Sequence, residues 1–210
     1  IEPAFNEMVD KIVFTYKFTN LPNIDSLRDE CKIWLMTILE KYDPSRGSKA
    51  FSYFSVITKN WFIHQVKQNS KKLNVYISEC FDDALKSAKS FDKKKDYNGL
   101  LSGVPIAVKD LFCTKDVKTT AGSKILHNFI PTYESTVTSN LWSKGAFLLG
   151  KLNCDEFAMG SSNETSFFGN VVNPYGKQLV PGGSSGGSAS ALAAELTPAT
   201  IGTDTGGSIR

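Results

Sequence analysis

Two glycine-rich segments close to the end of the sequence constrain its fold more than any other feature. Residues 181–190 read PGGSSGGSAS, and residues 202–210 read GTDTGGSIR. Because glycine has no side chain and adopts dihedral angles closed to other residues, such segments can bring main-chain N–H groups close to a reacting atom. Flexible linkers are also rich in glycine and serine, but the first segment continues directly into ALAAEL, a run of strong helix formers. We therefore predict a backbone-lined site followed by a helix.

The residues around these segments exclude two of the three functions that such glycine-rich segments could serve. A phosphate-binding P-loop places Lys and then Ser or Thr directly after its last glycine, and the first segment lacks that lysine. Residues 182–186 match the G-x-S-x-G pattern of α/β-hydrolases, which requires an acid and then a histidine later in the chain. Both histidines, His64 and His127, precede Ser184. A serine hydrolase whose base is a lysine remains, and Lys109 is the candidate because it ends an apolar run typical of a buried strand.

A lysine base and a serine nucleophile each need help from their surroundings. Lysine is charged at neutral pH and accepts a proton only when desolvation lowers its pKa, and the run VPIAV before Lys109 indicates such a setting. Serine is a weak nucleophile until a base removes its proton. Since a hydroxyl both donates and accepts hydrogen bonds, a second serine can pass that proton from the nucleophile to the lysine.

Four separated motifs resemble the amidase signature family. In chain order they are GVPIAVKDLF at 103–112, GKLNCDEFAMGSSNETS at 150–166, PGGSSGGSASA at 181–191 and GTDTGGSIR at 202–210. The resemblance covers residues 73–210. Within the family, the sequence is most similar to the glutamine-hydrolysing subunits of glutamyl-tRNA(Gln)/aspartyl-tRNA(Asn) amidotransferases.

The resemblance implies a Ser, cis-Ser, Lys triad. It makes Ser208 the nucleophile, Lys109 the base, and Ser184, after a cis peptide bond, the bridge between them. Main-chain N–H groups, among them that of Ser208, would form an oxyanion hole. The other residues implied for this hole are Thr205, Gly206 and Gly207, and those implied to bind the substrate are Met159 and Gly160.

The resemblance also implies a function and partners. The reaction is the release of ammonia from glutamine through an acyl-enzyme, in a complex with B and C subunits that serve glutamyl- or aspartyl-tRNA. The expected cofactors, ATP and Mg²⁺, act at the B subunit, and none is expected in this chain. A stand-alone amidase of other specificity is the alternative. Family members continue well beyond the nucleophile motif, so we expect this sequence to be the N-terminal part of an amidase domain, with little activity alone.

Composition is that of an ordinary globular protein. The chain has 210 residues, a net charge of +3 and 41% apolar residues, enough for one large or two small domains. Its four cysteines show no C-x-x-C spacing, which favours reduced thiols and no metal site. The longest apolar run, residues 33–39, is too short to span a membrane. We expect a cytoplasmic protein.

Residues 1–72 differ in character from the rest. Apolar residues at helical spacing predict three helices, over residues 5–18, from residue 26 onward, and over 48–68. Residues 42–68 resemble a helical region of bacterial and phage sigma factors, which implies contact with RNA polymerase or promoter DNA. The residues that would make such contacts are Phe51, Tyr53, Lys59, Trp61 and Lys67. The alternative function is therefore a sigma-like binding module attached to an inactive amidase fragment.

Residues 73–210 predict an α/β fold. An amphipathic helix is predicted from Leu73 onward, followed by strands over 104–108, 146–150 and 199–204. A helix over 135–144 separates the first two strands, and this order implies a right-handed crossover. We predict an incomplete amidase-signature mixed sheet flanked by helices, preceded by a small all-α segment.

Overall fold

The structure is a computed structural model that describes residues 2–15, 19, 24–43, 50–94 and 99–209. The chain divides into two compact units, Ile1–Asn69 and Ser70–Arg210. Within the helix that spans residues 50–73, the side chains of Phe51 and Lys59 lie outside the described residues. The assignment of residues 1–72 to a sigma-like segment stays a prediction.

The first unit is a small helical assembly. Helix α1 is Glu2–Thr15, α2 is Ile24–Thr37, and α3, Ala50–Leu73, contributes its residues up to Asn69 to this unit. The predicted apolar residues at helical spacing meet in one core. Its buried members are Phe5, Met8, Val9, Ile12, Val13, Leu27, Cys31, Leu35, Ile38 and Phe54.

Aromatic rings surround this core. Trp61 packs against it with its ring centroid 6.3 Å from that of Trp34. Tyr53 lies 5.3 Å from the ring of Tyr42 and 5.1 Å from that of Phe54. Tyr53 and Trp61, two of the residues predicted to contact promoter DNA, therefore have a packing role in their own unit.

The second unit is built on a four-stranded mixed sheet. The strands are β1 (Tyr76–Glu79), β2 (Pro105–Lys109), β3 (Phe147–Leu152) and β4 (Thr200–Ile201), in the order β1-β3-β2-β4. Strand β2 is central and runs parallel to both β3 and β4, whereas β1 is antiparallel to β3. Helices α4 (Phe81–Lys94), α5 (Thr136–Ser143) and α6 (Gly186–Ala193) complete the α/β fold. The predicted fold class is confirmed.

The helix predicted from Leu73 onward is wrong at its start. Helix α3 ends at Leu73, where Asn74 adopts a positive φ of 53°. Residues Tyr76–Glu79 then form β1, and α4 begins only at Phe81. Aromatic and β-branched residues favour strands, and pairing of Tyr76 with Leu152 of β3 gives these four residues the partner that a local pattern does not reveal.

A buried ion pair fastens the two central strands. In the register of β2 and β3, Lys151 pairs with Val108, which places Lys151 on the face of the sheet opposite Lys109. Its Nζ lies 3.3 Å from Asp110 Oδ1, and both side chains are fully buried. Lys151 also donates to the carbonyl of Phe112 and the hydroxyl of Thr119, each at 2.7 Å.

The carboxylate of this pair is bonded on its other side too. Asp110 Oδ2 accepts hydrogen bonds from the N–H and the hydroxyl of Thr120. The pair therefore joins the end of β2, the end of β3 and the loop around residues 119–120. Removing one partner from a buried ion pair leaves the other charge uncompensated.

We expect Lys151→Met to destabilise the second unit by about 3–5 kcal/mol, because Asp110 would be buried without its cation. Lys151→Met/Asp110→Asn should cost less, since it removes both charges. Urea unfolding followed by Trp142 fluorescence measures this in a Trp34→Phe/Trp61→Phe background, where Trp142 is the one remaining tryptophan. Exposed Lys118→Met is the control. Equal destabilisation by the single and double variants would contradict this prediction.

Candidate active site

The two glycine-rich segments meet at the carboxyl edge of the sheet. Strand β2 ends at Lys109 and its parallel neighbour β4 ends at Ile201. The second glycine-rich segment leaves β4 there, and the first leads into α6, which begins at Gly186. The predicted strand over 199–204 is shortened to Thr200–Ile201, so residues 202–209 are free to turn across this edge. Parallel sheets commonly place ligand sites at this end of their strands.

Lys109, Ser184 and Ser208 are brought into one hydrogen-bonded row. Lys109 Nζ lies 2.7 Å from Ser184 Oγ, and Ser184 Oγ lies 3.1 Å from Ser208 Oγ, within hydrogen-bond distance. The peptide bond between Gly183 and Ser184 is cis. Lys109 and Ser184 are buried, whereas Ser208 is partly exposed. The row therefore runs from the interior of the sheet to a hydroxyl that a substrate can reach.

Two further hydroxyls surround the amine of Lys109. Its Nζ lies 2.9 Å from Ser185 Oγ and 2.8 Å from Thr203 Oγ1. Ser185 Oγ donates its own proton to the carbonyl of Thr203 at 2.9 Å. The amine is thus held by three neutral oxygens.

Burial lowers the pKa of Lys109, because the charged ammonium loses its hydration. The carboxylates of Asp155 and Asp204 oppose this shift by their negative charge, and Cys154 would do so only as a thiolate. Both carboxylates are engaged by other donors: Asp155 accepts from Asn163 and Thr165, and Asp204 accepts within its own loop. A lowered pKa favours the neutral amine, which is the form that accepts a proton.

The predicted oxyanion-hole residues lie in the loop after β4, with Thr205 and Gly206 exposed. The N–H of Gly207 donates to Asp204 Oδ1 at 2.6 Å, and that of Ile209 to Asp204 Oδ2 at 3.3 Å. Within residues 99–209, no acceptor is bonded to the N–H groups of Thr205, Gly206 or Ser208. The Gly207 donor is therefore occupied in this conformation, while the other three are open to an incoming oxygen.

Met159 and Gly160 lie on a loop that is joined to the serine segment through Asp155. The N–H of Asp155 donates to the carbonyl of Ser184 at 3.2 Å. Its buried carboxylate accepts from the N–H of Asn163 at 3.0 Å and from the hydroxyl of Thr165 at 2.8 Å. Met159 is 74% exposed and so belongs to the surface of this loop.

Close approach explains the glycines on both sides of Asp155. A Cβ on Gly160 would lie 2.3 Å from Asp155 Cγ, and one on Gly183 would lie 2.3 Å from Asp155 Oδ2 and 2.7 Å from the nitrogen of Ser162. Neither position has room for a side chain. The segment before Ser184 is therefore seated directly on the Asp155 loop.

Sequence reasoning missed Asp155, Ser185 and Thr203 at this site, and Lys151 on the opposite face of the sheet. All four residues lie inside motifs that carry the family resemblance, but the residue types and spacing alone did not indicate their contacts. A carboxylate beside an apolar strand end, as in LNCD, is the one signal that could have indicated Asp155.

The described ranges contain neither a candidate metal site nor a helix that could span a membrane. In these ranges no group of three or more His, Cys, Asp and Glu side chains is arranged to hold a metal ion. No described helix has the length and apolar character needed to cross a membrane.

Comparison with known proteins finds a family and close relatives. The family model for amidases matches residues 59–210. The A subunit of the glutamyl-tRNA(Gln) amidotransferase of Pelagibacter ubique is 77% identical over 143 residues, which is 68% of this chain and 30% of that protein. The protein of the same name from Rickettsia bellii is 50% identical over 185 residues, 83% of this chain and 37% of its own length. The chain thus spans about a third of the curated relatives it matches.

Solved structures show the same likeness. The crystal structure of the glutamyl-tRNA(Gln) amidotransferase A subunit from Thermotoga maritima has a TM-score of 0.53 at 40% identity, over 61% of this chain and 31% of that one. The crystal structure of an amidase has a TM-score of 0.62 at 35% identity, over 70% of this chain and 35% of that one.

We expect Gly183→Ala to destabilise the second unit by about 1–3 kcal/mol, because its Cβ would collide with Asp155 and with main chain. Gly206→Ala is the matched control, since nothing lies within 4 Å of its Cβ, and should change the free energy of unfolding by less than about 0.5 kcal/mol. Urea unfolding followed by Trp142 fluorescence measures both. Equal destabilisation by Gly183→Ala and Gly206→Ala would mean that the Asp155 loop can move away from the new Cβ at little cost in free energy.

Proposed function

The chain belongs to the amidase signature family, and from this premise we propose that it carries the catalytic serine and lysine of a glutamine amidase. The observation that supports the proposal best is the row Lys109–Ser184–Ser208, with spacings of 2.7 and 3.1 Å. These distances are those of ordinary hydrogen bonds. A proton can therefore leave Ser208 and reach Lys109 without any of the three side chains moving far.

In the proposed reaction, Ser208 Oγ attacks the carbonyl carbon of the substrate carboxamide. Its proton passes to Ser184, whose own proton passes to neutral Lys109. The negative charge on the carbonyl oxygen is met by main-chain N–H groups of the loop after β4, which stabilise such an oxyanion without reorganising. Lys109 then returns its proton through Ser184 to the leaving nitrogen, so ammonia departs and an ester on Ser208 remains. Water cleaves that ester by the same route.

The oxyanion hole in this proposal uses the donors that are open in the structure. Thr205, Gly206 and Ser208 present N–H groups without acceptors within residues 99–209. Gly207 would join them only by giving up its bond to Asp204 Oδ1. We therefore assign the main stabilisation to the other three residues.

The substrate and partners are proposed from the relatives. Those at 77% and 50% identity are both A subunits of glutamyl-tRNA(Gln) amidotransferases. By this likeness the amide donor is glutamine, and the ammonia serves B and C subunits that bind glutamyl- or aspartyl-tRNA in the cytoplasm. ATP and Mg²⁺ belong to the B subunit's step.

Two alternatives stay open. A stand-alone amidase would use the same three residues on another amide. A sigma-like module would instead bind RNA polymerase or promoter DNA through residues 1–72, and pull-down of polymerase by this chain, compared with a variant lacking the exposed charge of Lys67, tests that function. Loss of capture on Lys67→Ala would favour the module.

We expect a fluorophosphonate probe to label Ser208 of this chain, and Ser208→Ala to abolish labelling. Lys109→Met should slow it by about 10²–10⁴-fold, the range for loss of a general base. Because burial lowers the pKa of Lys109 below its ordinary 10.5, the labelling rate should rise as pH rises through that lowered pKa and be lost at lower pH, where the amine is protonated. Mass spectrometry locates the label, and gel fluorescence gives its rate.

Ser90→Ala and Lys93→Met are the matched controls for this experiment. Both residues are exposed on α4 and should leave the rate unchanged. Labelling that is as fast in Lys109→Met as in the unsubstituted chain would remove the lysine from the proposed mechanism.

Glutamine hydrolysis tests the identity of the substrate. We expect ammonia release from glutamine to increase when the B and C subunits of the Pelagibacter ubique amidotransferase are added, since the proposed product is used there. A coupled glutamate dehydrogenase assay of ammonia measures it, with Ser208→Ala as the blank. Hydrolysis of other amides that ignores these subunits would favour the stand-alone amidase.

A further inference from the structure

Lys109 has three hydroxyl hydrogen-bond partners, and two of them have no part in the proton route. Ser184 leads to Ser208, whereas Ser185 and Thr203 lead away from it. We infer that Thr203, together with Ser185, is a positioning residue that directs the lone pair of neutral Lys109 toward Ser184. This inference rests on the proposed function, because it concerns the same lysine acting as a base.

The number of protons on the amine limits the bonds that it can make. A neutral lysine amine has two N–H bonds and one lone pair, and the ammonium has three N–H bonds. With three oxygens within 2.9 Å, the neutral amine must donate to two of them and accept from the third. It removes a proton from Ser208 only if the third oxygen is that of Ser184.

Ser185 is fixed as one of the two acceptors. Its hydroxyl proton is donated to the carbonyl of Thr203 at 2.9 Å. Toward Lys109, 2.9 Å away, Ser185 therefore offers a lone pair. One N–H of the amine is committed to it.

Thr203 determines which oxygen accepts the second N–H of the Lys109 amine. If its hydroxyl, 2.8 Å from Nζ, accepts from Lys109, the lone pair remains for the proton of Ser184. If that acceptor is deleted, the second N–H turns to Ser184, and the amine no longer accepts the proton. Thr203 thus separates the productive arrangement of the amine from an unproductive one.

The same hydroxyl also acts on the charged form. A hydrogen bond donated by an ammonium is about twice as strong as one donated by a neutral amine. Loss of Thr203 Oγ1 should therefore harm the ammonium more and shift the pKa of Lys109 downward by about half to one unit. A residue that only shapes the loop would not move this pKa in that direction.

The test compares Thr203→Val with Thr203→Ser in the 210-residue chain, using the pH dependence of fluorophosphonate labelling. In this reaction a bond forms between Ser208 Oγ and phosphorus, fluoride leaves, and the hydroxyl proton ends on Lys109. We expect Thr203→Val to label about 10- to 100-fold more slowly at its plateau, with the midpoint of its pH profile moved to lower pH. Thr203→Ser should restore both. Thr200→Val, the same change on β4, is the matched control and should behave as the unsubstituted chain.

A second measurement does not depend on reactivity or on the rate of labelling. In chain labelled with ¹³Cε-lysine, the resonance missing from Lys109→Met identifies Lys109, and its titration gives the pKa directly. A lower pKa in Thr203→Val than in Thr203→Ser supports the inference. An unchanged pKa, or a slowed Thr203→Val whose pH midpoint stays in place, overturns it while leaving the proposed function intact. Failure of the unsubstituted chain to label at Ser208 overturns the proposed function and the inference together.

Discussion

The structure of the second unit depends on one expensive feature, an amine buried at the end of the central strand. Lys109 is fully buried, and an isolated charge in that position would cost many kcal/mol. Three hydroxyls within 2.9 Å satisfy the amine without placing a negative charge on any of these contacts. They come from the segment before α6 and the segment after β4, which must both reach one atom. Because both segments must approach the same nitrogen atom, they consist largely of small residues.

Asp155 holds the other side of the same arrangement. Its carboxylate orders the loop of Asn163 and Thr165, and its own N–H supports the carbonyl of Ser184. Because Gly160 and Gly183 have no side chains, both segments can lie against that carboxylate. The position of Ser184 is therefore fixed by the loop that contains Asp155, which takes no part in the proposed proton transfer. Catalytic groups act efficiently only when held in such pre-formed geometry.

The resemblance to a family named Lys109, Ser184 and Ser208 together, and the structure places them within hydrogen-bond distance of one another, while their catalytic roles stay a prediction. Helix spacing likewise predicted α1, and an unbroken apolar run predicted the central strand β2, because burial leaves a regular pattern in both. Strand β1 could not be predicted, since Tyr76–Glu79 is a strand only through its pairing with β3. Thr203 and Ser185 were out of reach for the same reason. Their function is a distance to Lys109, 94 and 76 positions away, and no local pattern encodes it.

The two buried lysines of the sheet contrast the proposed base with a structural cation. Lys109 and Lys151 lie at the ends of neighbouring strands on opposite faces, and burial lowers the pKa of both. Lys151 faces Asp110 at 3.3 Å, so its proton is held by a full opposite charge. Lys109 is hydrogen-bonded to hydroxyls instead, and the carboxylates near it accept from other donors. Equal burial therefore comes with different partners: the carboxylate beside Lys151 favours the ammonium and fixes two strands, while the hydroxyls beside Lys109 would, in the proposed reaction, let the amine give up its proton and take one from the serine beside it.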